Sequence, residues 1–178
     1  MSDKKLLGEE RRERLLDLLK TSGEPIKGGD LAKQANVSRQ VIVGDISLLK
    51  AKNEPIIATS QGYLYFTDPT KDHKYERTIA SSHTPEETED ELNLLVDHGV
   101  VIKDVSVEHP VYGDLTASLH ISNRKEVKQF IEKVRSNKAS YLLELTGGIH
   151  MHTISASSEE TLDDAVEALE GAGYLVRT

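Results

Sequence analysis

Asn36-Val37-Ser38-Arg39-Gln40-Val41-Ile42-Val43-Gly44-Asp45-Ile46-Ser47-Leu48-Leu49 decides how the first third of this chain folds. Asn36-Val37-Ser38 is a tight connection, and Ser38 is a good N-cap for a helix that follows it. Within that helix Ile42, Ile46 and Leu49 stand at i, i+4 and i+7 and make one buried stripe. The opposite side shows Arg39, Gln40, Val43, Gly44 and Ser47. Working upstream, Leu31, Ala32 and Ala35 mark a short helix over about 29–34. Before it, Leu15, Leu16 and Leu19 among charges make 9–20 an amphipathic helix that Gly23-Glu24-Pro25 stops. Downstream of Pro55 the period shortens: Ile56-Ile57, then Thr59-Ser60-Gln61-Gly62, then Tyr63-Leu64-Tyr65-Phe66. That pattern predicts a two-stranded hairpin turning at the glycine. Three short helices, the last two closely joined, followed by a hairpin, predict a winged helix-turn-helix over residues 1–67.

The segment Val37–Ile46 resembles the recognition helix of winged bacterial regulators of the biotin-repressor type, which implies a helix N-terminus entering a major groove of double-stranded DNA. The side chains suit that role. Arg39 and Gln40 can form bidentate hydrogen bonds to guanine and adenine edges, and Ser38 with the helix N-terminus suits a phosphate. Val43 and Ser47 lie on the same exposed side, while Lys50, Lys52 and the wing tip (Thr59, Ser60, Gln61) would serve the backbone. Gly44 departs from the pattern, since a long polar residue is commoner there, and it weakens the helix by up to ~1 kcal/mol relative to Ala. The glycine leaves one fewer reading side chain, so the bases read stay open, and modules of this shape also act as protein-interaction units.

The whole chain is acidic, with 22 Lys+Arg against 30 Asp+Glu in 178 residues and a formal net charge of −8. Taken alone, that total argues against a polyanionic partner. The distribution reverses the inference. Residues 1–67 carry 11 Lys+Arg and 9 Asp+Glu, a net of +2; residues 68–178 carry 11 and 21, a net of −10. With 37% hydrophobic residues, 4% aromatics and no Trp, the cores must be modest and aliphatic. The absence of Cys removes disulfides, thiolate metal sites and thiol nucleophiles. Apolar runs of a few residues fall far short of the ~20 that span a bilayer, and no signal-like stretch follows the N-terminus, so a cytoplasmic protein without a membrane partner is expected.

Residues 68–75 read as a polar linker, Asp68-Pro69-Thr70-Lys71-Asp72-His73-Lys74-Tyr75. Beyond it, Thr84-Pro85-Glu86-Glu87 is a helix start, with Thr84 as N-cap and Glu87 closing a capping box, and the helix should stop at Gly99. Strands are expected over 100–107 and 115–121. A helix capped by Ser122 follows, carrying Val127, Phe130, Ile131 and Val134. Tyr141–Thr146 and Ile149–Ser155 then read as a hairpin about Gly147-Gly148, and Leu162, Ala165, Val166 and Leu169 mark a last capped helix. The order α-β-β-α-β-β-α predicts a small α+β sandwich, helices over an antiparallel sheet, in residues 76–178. The fold class is therefore mixed α/β, of the α+β kind.

The chemistry lies in the histidines. His150-Met151-His152 puts two imidazoles on the same side of a strand, with Cα atoms about 6.6 Å apart. That separation lets them converge on one cation, although ordinary strands also carry such pairs. His83 precedes the capped helix and Glu91 follows eight residues later, about 12 Å further along if helical throughout, so this second pair is looser. Without Cys, a His/Glu set is the metal site this chain could build, suited to zinc, nickel or a similar divalent ion.

Gly147-Gly148-Ile149-His150-Met151-His152-Thr153, with His109-Pro110-Val111-Tyr112-Gly113 and His83-Thr84-Pro85, resembles the three-histidine (3H) domain. A winged helix followed by that domain is the arrangement of niacin-responsive transcriptional repressors, and the resemblance covers essentially the whole chain. It implies a homodimer that binds operators of NAD-synthesis and niacin-uptake genes, with nicotinic acid as co-repressor. It also implies a divalent metal held by His83, Glu91, His150 and His152; spacing by itself offers only the two histidines of the strand.

The remaining histidines have plainer readings. His73 is a linker residue, His98 sits at a helix C-terminus where the dipole favours its cation, and His120 is a strand histidine. His109, with Tyr112, is a candidate for lining an effector pocket. Two other functions stay open from sequence: a repressor that senses the metal itself, and a metal-dependent hydrolase with a regulatory head. The hydrolase lacks a general base held near the candidate ligands, so the chain is expected not to be an enzyme.

Overall fold

The computed structural model describes residues 7–66 and 75–177. Of the expected linker, 68–74, including His73, lies outside the described residues, whereas Tyr75 already opens a strand. The chain divides into two compact units between Asp68 and Pro69.

The N-terminal unit contains α1 (Gly8–Ser22), α2 (Gly28–Gln34), α3 (Arg39–Ala51), β1 (Ile56–Thr59) and β2 (Gly62–Tyr65). Leu15 and Leu19 from α1, Leu31 and Ala32 from α2, and Ile42, Ile46 and Leu49 from α3 form one buried cluster. Ser38 caps α3, its hydroxyl accepting the Val41 N–H at 3.4 Å. The antiparallel pair β1–β2 gains a third partner at Ile26, whose backbone exchanges two 2.8 Å hydrogen bonds with Tyr63. This is the expected winged helix-turn-helix.

One buried charge belongs to that core. Asp45, on α3, is 3% exposed, and its carboxylate accepts from Arg11 Nε at 2.5 Å and Arg11 Nη2 at 3.2 Å, with Arg12 Nη1 at 3.5 Å. Two arginines of α1 thus hold the third helix in rotation about its own axis. The carboxylate's charge and hydrogen bond raise the Arg11 pKa above its ordinary value, the hydrogen bond being the larger cause.

The C-terminal unit comprises β3 (Tyr75–Ser82), a 3₁₀ turn (Pro85–Glu87), α4 (Thr88–Asp97), β4 (Val101–His109), β5 (Gly113–Ile121), α5 (Arg124–Ser136), a 3₁₀ turn (Leu142–Thr146), β6 (Ile149–Ala156) and α6 (Glu159–Gly171). The strands form one antiparallel sheet in the order β3-β6-β4-β5. Leu92, Leu95, Val127, Ile131, Leu162 and Leu169 of the three helices pack with Ile79, Ile102, Ile121 and Ile154 of the sheet. The sandwich is as expected, but its chain order is β-α-β-β-α-β-α.

Three differences from the expected elements matter. Tyr75–Ser82 is a strand, concealed in sequence by the polar run that leads into it. Tyr141–Thr146 is a 3₁₀ turn, because the Glu144 carboxylate accepts the Tyr141 N–H at 2.6 Å and closes the segment on itself. Consequently β6 has no hairpin partner there and lies between β3 and β4. The fifth helix is capped by Asn123, which accepts from the Glu126 N–H at 3.0 Å, while Ser122 donates to the Glu126 carboxylate.

The chain continues beyond α6 into one more backbone pairing. Ser82 N–H donates to Tyr174 carbonyl at 2.8 Å, and Val176 N–H to Ala80 carbonyl at 2.9 Å, so residues 174–176 run along the outer edge of β3.

Asp45→Ala leaves two arginines without their buried partner and should lower the stability of the N-terminal unit by about 1.5–3 kcal/mol. Urea denaturation followed by circular dichroism reads this, with Glu13→Ala on the exposed side of α1 expected to change stability by less than ~0.5 kcal/mol.

Candidate functional site

His83 follows the last residue of β3, and His150 and His152 alternate along β6, directed toward the helices. Ser81 pairs with His150 and Ile79 with His152, so the strand register brings the end of β3 beside both imidazoles. Opposite them, Glu91 occupies the first turn of α4 and is completely buried. The Thr84 N–H donates to the Glu87 carboxylate at 2.9 Å, one arm of the capping box, and the Thr84 hydroxyl donates to the same carboxylate at 3.1 Å. Residues 84–87 reverse the chain there and lay α4 back over the sheet. For that reason His83 and Glu91 meet at 2.6 Å instead of standing a helix-length apart.

Three Nε2 atoms converge on one carboxylate oxygen. Glu91 Oε2 is 2.6 Å from His83, 3.1 Å from His150 and 3.3 Å from His152. Each ring is oriented from behind by a backbone carbonyl that accepts from Nδ1: Thr84 at 2.8 Å, Gly148 at 2.8 Å and Asp104 at 2.7 Å. With Nδ1 carrying the proton, Nε2 of the neutral ring presents its lone pair inward, the tautomer a metal ligand requires. The His83, Glu91 and His150 ligand atoms lie within 4.8 Å of one another.

Absent an ion, Glu91 draws protons onto the Nε2 atoms of His83 and His152, so the site favours positive charge whether a proton or a cation supplies it. Burial pushes the Glu91 carboxyl up, but the charge of His152 and hydrogen bonds from His150, His152 and His83 outweigh it and hold the group well below the usual carboxylate range. Burial lowers the His83 and His152 pKa values, yet both end raised because Glu91 favours their cations. Protein groups here stabilise positive charge between the imidazoles and the carboxylate. Glu91 Oε1 has no hydrogen-bond partner among the described residues. His83, Glu91 and His150 could together hold a divalent transition ion, with His152 Nε2 standing beside them at 3.3 Å from the same carboxylate oxygen.

Two backbone details, which the sequence did not signal as functional, set this geometry. A bulge on β4 between Ile102 and Ser106 accompanies the presentation of the Asp104 carbonyl to His152. The same residue's carboxylate accepts the Thr153 N–H at 2.9 Å. Gly148 lies at φ +112°, and a Cβ there would stand 2.7 Å from the His83 carbonyl oxygen. The glycine pair in the motif was visible in sequence; the close backbone approach that demands its second member was not.

A cavity of about 250 Å³ adjoins the cluster on its helix side. Glu91, His150 and His152 line one end, and Leu92, Leu119 and Phe130 are among its apolar walls. His109 and Tyr112 do not line it. They cap the exposed β4–β5 turn, where His109 Nδ1 accepts the Val111 and Tyr112 N–H groups at 3.1 and 3.2 Å and Tyr112 is 75% exposed. The structure thus keeps these two effector-pocket candidates apart from the cavity beside the cluster. His98 ends α4 with Nδ1 donating to Leu94 carbonyl, and His120 adopts φ +55° at a bulge in β5. Burial, then the charge of Lys103, lowers the His120 pKa.

In the N-terminal unit, Ser38, Arg39, Gln40, Val43, Ser47 and Lys50 are all exposed along α3. The Ser47 hydroxyl donates to the Val43 carbonyl at 2.9 Å, keeping its lone pairs for an outside donor. Arg39 runs beside the start of α2: a Cβ at Gly28 would be 3.5 Å from Arg39 Nε and 3.2 Å from the Tyr63 ring.

Comparison with known proteins places these features together. A 3H domain matches residues 76–178, and an HTH domain matches residues 11–64. The chain is 58% identical over 174 residues to "Transcription repressor NadR" of Bacillus subtilis, covering 97% of each chain. It is 38% identical over 172 residues to "Probable transcription repressor NiaR" of Thermotoga maritima, again covering 97% of each. This chain belongs to that family of winged-helix, 3H-domain transcription repressors. It is a DNA-binding regulator and not an enzyme. Among the described residues of the repressor, no helix is long and apolar enough to cross a membrane.

Neighbouring glycines offer a test of the close approach. Gly147, at φ +66° with nothing within 4 Å of a Cβ, should tolerate Ala at a cost of about 1–2 kcal/mol. Gly148→Ala should cost more than Gly147→Ala, because His83 must move as well. Paired urea titrations of the two variants give the order.

Proposed function

We propose that this repressor binds operators of NAD-biosynthesis and niacin-uptake genes as a homodimer. In this reading nicotinic acid is its co-repressor, and a divalent metal, nickel or zinc, is held by His83, Glu91, His150 and His152. The observation that carries the proposal is the convergence of three Nε2 atoms on one oxygen of a fully buried glutamate. Left without a positive charge, that arrangement would bury a carboxylate against three lone pairs, which is costly. When bound, the ion supplies a positive centre to which an anionic or heteroaromatic effector can bind. The protein residues do the rest: Thr84, Gly148 and Asp104 carbonyls fix the rings, and Glu91 balances part of the charge.

The names of the relatives support the NAD-linked reading, and the joining of an HTH domain to a 3H domain supports control of DNA binding by a small molecule. A residue set of Arg39, Gln40, Val43, Ser47 and Lys50 on α3 suits one half-site, with Ser38 on a phosphate. The N-terminal third carries a net charge of only +2. One head is then a weak binder, and two tethered heads spaced about 34 Å apart gain from effective concentration.

Gel-shift titrations on an operator fragment, at one stated salt concentration, test this directly. Zinc-loaded protein should bind about 5–150-fold more tightly with nicotinic acid than without. Equal affinity in both would overturn the co-repressor reading, and a response to metal at zero nicotinic acid would favour metal sensing instead. His150→Ala should lose bound metal, measured by mass spectrometry of the dialysed protein. Chelation of the wild type should lower the melting temperature of the C-terminal unit.

A further inference from the structure

The cavity beside the cluster contains a polar side chain that neither the fold nor the metal proposal uses. Thr88 opens α4 and is 6% exposed, and its hydroxyl has no hydrogen-bond partner among the described residues. Threonine hydroxyls in helices ordinarily bond back to a carbonyl three or four residues earlier. This one does not, and it lines the cavity together with Glu91. A buried hydroxyl left in that state calls for an occupant that completes it.

The walls state the occupant's shape. Leu92, Val105, Leu119 and Phe130 are apolar and enclose about 250 Å³, just below the ~300–1,000 Å³ typical of pockets for drug-sized ligands. One unfused ring with a small substituent suits that volume, whereas a nucleotide does not. Thr88 shares the lining with Glu91, His150 and His152, and Ser140 and Tyr141 add polar groups from the segment after α5, so a ligand with apolar faces and a polar periphery fits.

We propose that this cavity is a binding site for a planar six-membered-ring compound, and that Thr88 is its specificity-determining residue. The ring packs on the aliphatic walls and Phe130 while a polar substituent hydrogen-bonds the Thr88 hydroxyl. The choice of nicotinic acid as first probe rests on the function proposed above. The site therefore reports the free ring acid and excludes its nucleotide forms by size.

Isothermal titration calorimetry on the zinc-loaded full chain tests the site. The titrants are nicotinic acid, nicotinic acid mononucleotide, benzoic acid and picolinic acid. Nicotinic acid should bind and the mononucleotide should not. Thr88→Val, which keeps the shape and removes the hydroxyl, should weaken binding about tenfold, and Thr88→Ser should recover most of the loss. Zinc per chain should stay the same in both variants. Ala117→Leu, which fills the cavity, should abolish binding. If that variant misfolds by circular dichroism, contacts between ligand ring protons and Leu119 methyls in the wild type, read by nuclear Overhauser effects, replace it. Nicotinic acid binding unchanged in Thr88→Val overturns the assignment of Thr88 and leaves the co-repressor reading standing. If nicotinic acid fails to bind but another ring acid binds and is weakened by Thr88→Val, the site stands and the effector reading falls. No binding by any of the ring acids overturns the site.

Discussion

A buried carboxylate dictates the architecture of the C-terminal unit. Burying Glu91 is affordable only where positive charge or strong donors surround it, and the fold supplies three imidazoles on one of its oxygens. That requirement explains why β6 runs between β3 and β4, since only a central strand can aim both histidines under the helices while taking the end of β3 alongside. It also explains the reversal at 84–87, which brings α4 back over the sheet, and the second glycine of the turn, which lets backbone touch backbone at His83.

The N-terminal unit solves a smaller version of the same problem. Asp45 is buried in α3, the helix whose exposed face is proposed to meet DNA, and it is satisfied by arginines from another helix. Its neighbours on either side of the helix, Gly44 and Ile46, separate into surface and core by ordinary periodicity. Each unit thus places one buried acid where it fixes an element of a proposed site: the α3 face proposed for DNA in one case, the histidine cluster with its cavity in the other.

The winged helix was readable almost entirely, because its signals are local. The stripe Ile42–Ile46–Leu49, the Ser38 cap and the hairpin around residues 59–62 all reappear. The second unit was legible as helices and as a fold class, but its strand order was not, since pairing across some seventy residues leaves little trace in one sequence. Tyr141–Thr146 is apolar enough to mimic a strand, and Glu144 turns it into a 3₁₀ segment through a single backbone contact. Spacing saw His150 and His152 but placed Glu91 too far from His83, because a straight helix was the only ruler available. His109 and Tyr112, singled out for their chemistry, stand on the exposed β4–β5 turn and not beside the histidine cluster. Thr88 gave no sign at all, as a threonine near a helix start is usually only part of the cap.

The pairing of residues 174–176 with β3 has a consequence for how copies of this chain meet. Open strand edges are templates for uncontrolled polymerisation, and a sheet with two of them must be guarded. Here residues 174–176 cover the Ala80–Ser82 end of one edge, and the left-handed residue His120 breaks the regularity of β5 on the other. Both perimeters of the sheet thus carry a feature that works against strand-by-strand growth into neighbouring molecules.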